Sequence, residues 1–198
     1  MAADAAGNDI TAVDVPVTGF AAVNFTATQA PSVANISGNS LPTGYSYLGL
    51  FTQDGGYAEE TEAGENTEFF QISYKLRTGD ESINGTLTCA EDNANVKKLL
   101  GFVDGKREKV SYDEKFGLVI TTFFKNGTYE SRGGLAMVTD IAVSQETRGE
   151  IKTYEVSFTW VKCGENGYYS YATGDKAPQY ACSVATRGGG STSTDGGK

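Results

Sequence analysis

The stretch FGLVITTFFKNGTYESR, residues 116–132, decides how this chain folds. Its first nine residues, Phe116 to Phe124, are apolar on both alternating faces, a pattern typical of a strand at the centre of a sheet. Asn126-Gly127 follows, a dipeptide that favours tight hairpin turns, and leads into a second strand from Thr128 to Arg132. The stretch therefore predicts antiparallel β-structure built around a central hairpin.

Further strands are predicted on both sides of this hairpin. Residues 135–144 and 150–162 form a second pair, and within the latter four large residues share one face: Tyr154, Val156, Phe158 and Trp160. Before the hairpin, apolar and polar residues alternate over 70–77, Thr78-Gly79-Asp80 turns the chain, and another strand follows over 82–89. The fold class predicted is mainly β, an antiparallel β-sandwich or open barrel.

One short helix interrupts the strands. Thr88-Cys89-Ala90-Glu91 has the spacing of a capping box, and the residues that follow form a one-sided apolar stripe ended by Asp104-Gly105: Val96, Leu99, Leu100 and Val103. The pattern predicts an amphipathic helix that flanks the β-structure.

The composition divides the chain into three parts. Residues 1–44 are expected to form an extended N-terminal arm with strands at 12–17 and 21–26, the first confined by Pro16 to an edge or an intersubunit position. Residues 45–186 form the β-domain. Residues 187–198 are rich in Gly, Ser and Thr and are expected to be a flexible C-terminal arm.

Charge is distributed unevenly. The chain has 25 acidic and 16 basic residues, a net charge of −9, and nine of the acidic residues precede the first basic residue, Lys75. A negative field of this kind repels phosphate, which argues against binding of nucleic acid by charge neutralisation in this region. No apolar run reaches the length of about 18 residues that a spanning helix needs, and residues 1–4 do not resemble a secretory signal.

The residue types present argue against common catalytic and metal sites. The chain has no histidine, and its three cysteines, Cys89, Cys163 and Cys182, have no C-x-x-C spacing. The common zinc sites and Ser-His or Cys-His pairs therefore cannot form, and no catalytic residue, metal or cofactor is predicted. Reduced thiols are favoured, although a bridge between Cys163 and Cys182 stays open.

A long acidic loop is predicted over residues 52–69, which contain six carboxylates and no cation. It is either a solvated loop, a calcium site that lacks the EF-hand order, or an interaction loop that meets basic residues of another copy. For the third alternative, the candidate loop residues are Asp54, Gly55, Gly56, Glu59, Glu60, Glu62, Glu65 and Glu68. The candidate basic acceptors are Lys97, Lys98, Lys106, Arg107 and Lys109.

A different function class is also open. Asp113-Glu114 and the run Tyr168-Tyr169-Ser170-Tyr171 are the residue types that a glycoside hydrolase uses as paired carboxylates and aromatic platforms. The alternative is therefore an acidic β-sandwich carbohydrate-active enzyme or adhesin.

Two stretches resemble a known family: residues 47–56, Tyr-Leu-Gly-Leu-Phe-Thr-Gln-Asp-Gly-Gly, and residues 91–101, Glu-Asp-Asn-Ala-Asn-Val-Lys-Lys-Leu-Leu-Gly. In their order and spacing, residues 45–162 resemble the major tail tube proteins of long-tailed, non-contractile bacteriophages, especially those that infect actinobacteria. In that family a Leu-Gly strand and an Asp-Gly turn lead through an acidic stretch to two strands and a short helix.

The resemblance implies a structural virion protein with no enzymatic activity. It implies homohexameric rings whose inner sheets join into a continuous β-barrel around a channel. The rings would stack into the tail tube through the terminal arms and through residues 54–68 as the stacking loop, and DNA would pass through the lumen without specific binding. Assembly would take place in the host cytoplasm, with no membrane involved. The further partners implied are a tape measure protein, a tail terminator and distal tail proteins.

Overall fold

The computed structural model describes residues 15–38, 40–69, 74–77, 79–107, 114–163 and 167–175. These residues form eleven strands and two short helices, none of the helices being long and apolar enough to cross a membrane. In chain order the elements are β1 (Pro16–Asn24), α1 (Val33–Ile36), β2 (Ser46–Glu62), β3 (Asn66–Phe69), β4 (Tyr74–Arg77), β5 (Ser82–Cys89), α2 (Ala94–Leu99), β6 (Phe102–Val103), β7 (Lys106–Arg107), β8 (Lys115–Phe124), β9 (Tyr129–Val143), β10 (Tyr154–Val161) and β11 (Tyr169–Gly174).

Six antiparallel strands close into a barrel in the order β1-β2-β5-β10-β9-β8, with β8 pairing again with β1. The barrel closes because β9 is 15 residues long and pairs with β8 along one edge and with β10 along the other. Strand β11 continues along the same edge of β9, beyond the end of β10. The mainly β prediction is confirmed, and the barrel is closed rather than open.

The barrel interior is filled by the face predicted from the alternation in β10. Tyr154, Val156, Phe158 and Trp160 are at most 2% exposed. Two glycines on neighbouring strands make room for the rings, since a Cβ at Gly85 would lie 2.4 Å from Phe158 and one at Gly134 would lie 2.9 Å from Trp160. These close approaches leave no space for any larger residue.

A second, smaller core covers the outer face of the barrel. Ile36 of α1 packs there with three fully or nearly buried residues of the strands beneath: Phe20, Val119 and Ala172. Helix α1, which the sequence did not predict, begins at Ser32, whose Oγ accepts a hydrogen bond from Asn35 N. Because α1 lies outside β8 and the barrel core lies inside it, this strand is buried on both faces, as predicted.

The central hairpin forms as predicted. Thr121 of β8 lies opposite Ser131 of β9, their buried hydroxyls are 2.8 Å apart, and Gly127 adopts a φ of +90° in the turn. The two strands predicted over 128–132 and 135–144 are one continuous strand, β9, because Gly133 and Gly134 stay in the ladder.

The prediction of an extended arm is wrong for residues 16–24, whereas the edge position predicted for Pro16 agrees with the absence of a β2 partner beside residues 16–19 among the described residues. These form one strand, β1, which pairs with β8 along its length and with β2 over Phe20 to Val23. Four consecutive apolar residues, 20–23, are fully buried, so this segment is part of the barrel. Pro16 is accommodated because the β2 ladder does not extend to that end of β1. Residues 12–14 and the predicted C-terminal arm, 187–198, lie outside the described residues.

The acidic loop prediction is also wrong, because β2 continues through this segment to Glu62 and pairs with β5 over Gly56 to Glu62. Residues 66–69 then pair with 74–77 as a separate hairpin. Of the strand predicted over 70–77, residues 74–77 form β4, and residues 70–73 lie outside the described residues. Strand β5 has the predicted bounds.

Helix α2 begins five residues later than the capping box predicted, because Thr88 and Cys89 belong to β5. Its N-cap is Asn93, whose Oδ1 accepts hydrogen bonds from the backbone N–H groups of Asn95 and Val96, each at 3.0 Å. Asn93 Nδ2 also donates to Leu48 O at 2.6 Å, and Glu91 Oε1 accepts from Leu50 N at 3.1 Å. The two stretches on which the family resemblance was based therefore lie against each other.

We expect Asn93→Ala to lower the free energy of unfolding by about 1–2 kcal/mol, because the helix loses its cap and Leu48 O loses its donor. The matched control is Asp92→Ala. Asp92 is 54% exposed and lies 3.7 Å from Lys97, an ion pair of little value, so a change of less than about 0.5 kcal/mol is expected. Urea unfolding of both variants measures the difference, and equal losses would contradict the assigned cap.

Candidate functional site

The two ends of the barrel differ in structure. The pairing register places Thr18 opposite Phe123, Phe123 opposite Tyr129, and Tyr129 opposite Gly174, so these residues lie at one level near one end. We call this the open end; it comprises residues 16–19 of β1, 56–62 of β2, the turn 125–128 and β11. The opposite end holds α2, the β6–β7 hairpin and the turn 144–153.

At the open end the barrel wall is split between β1 and β2. The two strands pair only over Phe20 to Val23, and the β2 ladder shifts by an irregularity between Phe51 and Gly56. A cleft of about 570 Å³ lies beside the split. It is lined by residues of both strands, including Tyr57 of β2, and by Thr122 of β8. Among the described residues, the β1 edge from Pro16 to Gly19 therefore has no neighbouring strand on this side.

Strand β11 forms a second free edge at the same end. It pairs with β9 over six residues and, within the described part of the chain, with no strand on its other side. At the open end, the four strands β11-β9-β8-β1 thus form a sheet with both outer edges unpaired. Unpaired edges of this kind are sites at which another strand can add.

A charged cluster closes the barrel interior next to these edges. Arg132 Nη1 donates to Glu130 Oε1 at 2.6 Å, and Arg132 Nε lies 3.7 Å from Glu59 Oε2. The side chains of Arg132, Glu130 and Glu59 are only 16%, 20% and 23% exposed, respectively. Tyr169 donates to Glu59 at 2.9 Å and Tyr171 donates to Glu130 at 2.8 Å. One guanidinium thus joins β2, β9 and β11.

The pKa shifts in this cluster have identified causes. Burial raises the pKa of Tyr57, and its hydrogen bond to Glu59 raises it further. Burial also raises the pKa of Tyr169 and Tyr171, each with a contribution from the carboxylate it contacts. Burial lowers the pKa of Arg132, but the hydrogen bond and charge of Glu130 outweigh this, so the net pKa is raised. The cluster therefore holds neutral tyrosines around a permanently charged arginine.

The candidate loop residues lie at this open end. Glu60, Glu62 and Glu65 are exposed, whereas the side chain of Glu59, 23% exposed, belongs to the charged cluster. Gly55 and Gly56 lie at the irregularity in β2, and Gly56 has a φ of +107°. Asp54 is on β2 and Glu68 on β3, with side chains outside the described part. No group of three or more potential metal ligands exists among the side chains described.

The candidate basic acceptors lie at the opposite end. Lys97 is 3.7 Å from Asp92, Lys98 Nζ lies 4.3 Å above the ring centre of Phe25, and Lys106 is exposed on β7. Arg107 is on β7 with its side chain outside the description, and Lys109 is outside the described residues. The acidic and basic candidates of one subunit are therefore separated by the barrel.

The residues of the carbohydrate alternative that the structure describes do not form a common site. Glu114 is exposed and precedes β8 towards the opposite end, and Asp113 lies outside the described residues. Tyr169 and Tyr171 instead contact Glu59 and Glu130 at the open end, and Tyr168 donates to Glu81 O. Tyr169 and Tyr171 are thus structural partners of the charged cluster.

The charged cluster itself was missed at the sequence level. Its members come from three distant segments, 57–59, 130–132 and 169–171, and no motif connects them. The one available signal was Glu130 and Arg132 alternating within an otherwise largely apolar strand, which predicts that the two polar side chains share one face of the strand.

Comparison with known proteins gives only remote structural likenesses. No family model and no curated protein matches the chain. The tail tube of SPP1 is similar at 13% identity and a TM-score of 0.43, covering 93% of each chain. A chain of the native gene transfer agent virion is similar at 13% identity and a TM-score of 0.36, covering 67% of this chain and 92% of that one.

A chain of the tail of the empty gene transfer agent particle, refined with helical C6 symmetry, has 14% identity and a TM-score of 0.36, covering 65% of this chain and 87% of that one. These values are too low to support an argument about function. The function proposed below depends on the residues of this chain.

Proposed function

We propose that this protein is the structural subunit of a phage tail tube, which self-assembles into stacked hexameric rings and conducts DNA. The observation on which the proposal rests is the separation of the acidic and basic candidates at opposite ends of the barrel. A subunit with this arrangement can stack head to tail, because the open end of one copy meets the opposite end of the next.

The exposed carboxylates are suited to this contact. Glu60 and Glu62 lie on the same strand, alternate with Thr61, and extend the acidic surface to Glu65 and Asp80. At the opposite end of the barrel, Lys98 lies on α2 and Lys106 lies on β7, so the lysines come from two separate elements. We propose Asp54 to Glu68 as the stacking segment and Lys97, Lys98, Lys106, Arg107 and Lys109 as its acceptors.

The remaining features agree with a structural role in the virion. The order of motifs over residues 45–162 resembles that of tail tube proteins, and an acidic protein allows DNA to move without adhering. A tape measure protein, a tail terminator and distal tail proteins complete the proposed set of partners. Assembly in the host cytoplasm is part of the same proposal.

We expect Glu60→Lys with Glu62→Lys to abolish tube formation while the subunit stays folded, because stacking would then bring lysines against lysines. Glu59 is left unchanged, since it is bound to Arg132 and Tyr169 inside the barrel. The assay is electron microscopy of the purified protein, with circular dichroism to confirm the fold.

The matched control for charge is Asp140→Lys with Glu155→Lys. Both residues are exposed on barrel strands away from the open end, and the net charge changes by the same amount. This control is expected to form tubes like the unmodified protein. Normal tubes from the Glu60/Glu62 variant would contradict the stacking role proposed for this segment.

A further inference from the structure

We propose that Asn126 is a site of spontaneous covalent modification, at which its side-chain carboxamide is converted to a carboxylate through attack by the backbone nitrogen of Gly127. The tripeptide Asn-Gly-Thr occurs twice in the chain, at 84–86 and at 126–128. The first copy lies within strand β5, whereas the second lies in a turn. The fold therefore selects between two identical sequences.

The copy at 126–128 lies in the hairpin turn between β8 and β9, at the open end of the barrel. Asn126 and Gly127 are exposed, so a base and a water molecule from the solvent can reach both residues. Gly127 has a φ of +90°, and a Cβ at this position would meet nothing within 4 Å. The peptide nitrogen of Gly127 is therefore open to solvent and is not hindered by a side chain of its own.

The side chain of Asn126 is folded back over the Gly127 peptide. Its Oδ1 accepts hydrogen bonds from Thr128 N at 3.0 Å and from Thr128 Oγ1 at 2.7 Å. Because Oδ1 reaches the nitrogen two residues ahead, Cγ lies beside the peptide bond in between. The same two donors stabilise Oδ1 when negative charge develops on it, as the donors of an oxyanion hole do.

The reaction consumes one water molecule and needs no enzyme. A solvent base removes the proton of Gly127 N, and this nitrogen forms a bond to Asn126 Cγ. The bond from Cγ to Nδ2 then breaks, and Nδ2 takes up a proton and leaves as ammonia. Water opens the resulting cyclic imide. Addition of water at Cγ gives an aspartate side chain on the normal backbone, whereas addition at the backbone carbonyl gives isoaspartate, in which the chain continues through Cγ.

A single backbone hydrogen bond of the turn has to open before the nitrogen can react. Gly127 N donates to Phe124 O at 3.0 Å. Exposed turns at the end of a hairpin open locally at a low free energy compared with the strands of a core. The turn therefore reaches the reactive geometry without unfolding of the barrel.

The copy at 84–86 is protected in the folded protein. Asn84 and Gly85 lie in β5, which pairs with β10 on one side and with β2 on the other. Gly85 is buried, and a Cβ there would lie 2.4 Å from the ring of Phe158. Asn84 Oδ1 accepts from Thr159 Oγ1 of the neighbouring strand at 2.6 Å, and not from the residue two positions ahead. Ring closure at this copy would require both ladders to open.

Conversion changes the open end of the barrel. Each event adds a negative charge next to Lys125, and isoaspartate also lengthens the backbone of the turn by a methylene group. Two backbone hydrogen bonds adjoin the change, from Phe124 N to Thr128 O at 3.0 Å and from Lys125 N to Val15 O at 2.8 Å. The modification therefore acts where β8, β9 and the start of β1 meet.

The test is peptide mapping by mass spectrometry after long incubation of the purified full chain at mildly alkaline pH, in water labelled with a heavy oxygen isotope. Digestion in ordinary water then separates conversion during incubation from conversion during digestion. A parallel sample is incubated in concentrated urea. Fragment spectra distinguish Asn84 and Asn126 from Asn166, which also precedes a glycine and lies outside the described residues. The matched variant is Asn126→Gln, which keeps the carboxamide but cannot form the five-membered ring, with circular dichroism as the check on folding.

We expect the folded protein to incorporate label at Asn126 about tenfold faster than at Asn84 or more, because the strand must open before it can react. In urea the two sites should react at similar rates, since their tripeptides are identical. Equal rates in the folded protein would overturn the proposal, as would label that appears at Asn126 only in urea. Label in the same peptide of the folded Asn126→Gln variant would assign the reaction to another residue, and no label at either site in urea would refute the chemistry.

Discussion

Trp160→Ala is expected to lower the free energy of unfolding by about 3–5 kcal/mol, the largest effect of any single core substitution considered for this barrel. The indole is 1% exposed, lies edge-on to Phe158 at 5.2 Å between ring centres and packs against Tyr169 at 5.1 Å. Its Nε1 donates to Tyr57 Oη at 3.3 Å. Alanine would leave a cavity at a point where β2, β10 and β11 meet.

The matched comparison is Trp160→Phe, for which a loss of about 1–2 kcal/mol is expected because most of the volume is kept and the Tyr57 hydroxyl loses a donor. Urea unfolding followed by circular dichroism measures both variants, since Trp160 is the only tryptophan in the chain. Similar small losses for both would contradict the central position of the indole in the core.

Arg132→Met is expected to lower the free energy of unfolding at neutral pH by about 2–3 kcal/mol, below the full cost of breaking a buried ion pair because each side chain keeps some exposure. The substitution keeps the side-chain length and leaves the carboxylates of Glu59 and Glu130 without their cation. The loss is measured by urea unfolding with fluorescence of Trp160.

Neutralising the two carboxylates distinguishes charge from packing in this variant. Adding Glu59→Gln and Glu130→Gln to Arg132→Met should recover most of the loss at neutral pH, because no unpaired carboxylate then remains beside the lost cation. A deficit that is not rescued would assign the role of Arg132 to packing alone.

Local patterns in the sequence predicted the central elements of the fold. The alternation of Tyr154, Val156, Phe158 and Trp160 specified the interior face of β10, and Asn126-Gly127 specified the hairpin between β8 and β9. Both signals act over a few residues and are unaffected by the rest of the chain. Closure of the barrel could not be predicted, because it depends on β9 pairing with β8 on one edge and β10 on the other.

The errors have a common physical cause, which is tertiary pairing that overrides local composition. Residues 55–62 contain two glycines and three glutamates, a composition that suggests a loop, but β5 pairs with residues 56–62 and the strand continues. The composition of residues 20–24 suggests an extended arm, but in the structure this segment pairs with β2 and β8 and is covered by them. Helix α2 starts at Asn93 because Thr88 and Cys89 are held in β5 by Tyr154 and Glu155 of β10.

The candidate site was predicted only in part. The exposure of Glu60 and Glu62 agrees with an interaction segment, while Glu59 proved to be an internal partner of Arg132. The unpaired edges of β1 and β11 could not be predicted, since an edge is defined by the strands that are absent beside it. Only the pairing order of the whole barrel identifies them.

The central claim is that this chain assembles into a tube, and negative-stain electron microscopy of the purified protein over a series of concentrations and salt concentrations tests it most directly. We predict hollow tubes or stacked rings that become longer or more frequent as concentration rises. They should be lost on Glu60→Lys with Glu62→Lys and kept on Asp140→Lys with Glu155→Lys. Monodisperse monomer at every concentration and salt condition would contradict the claim.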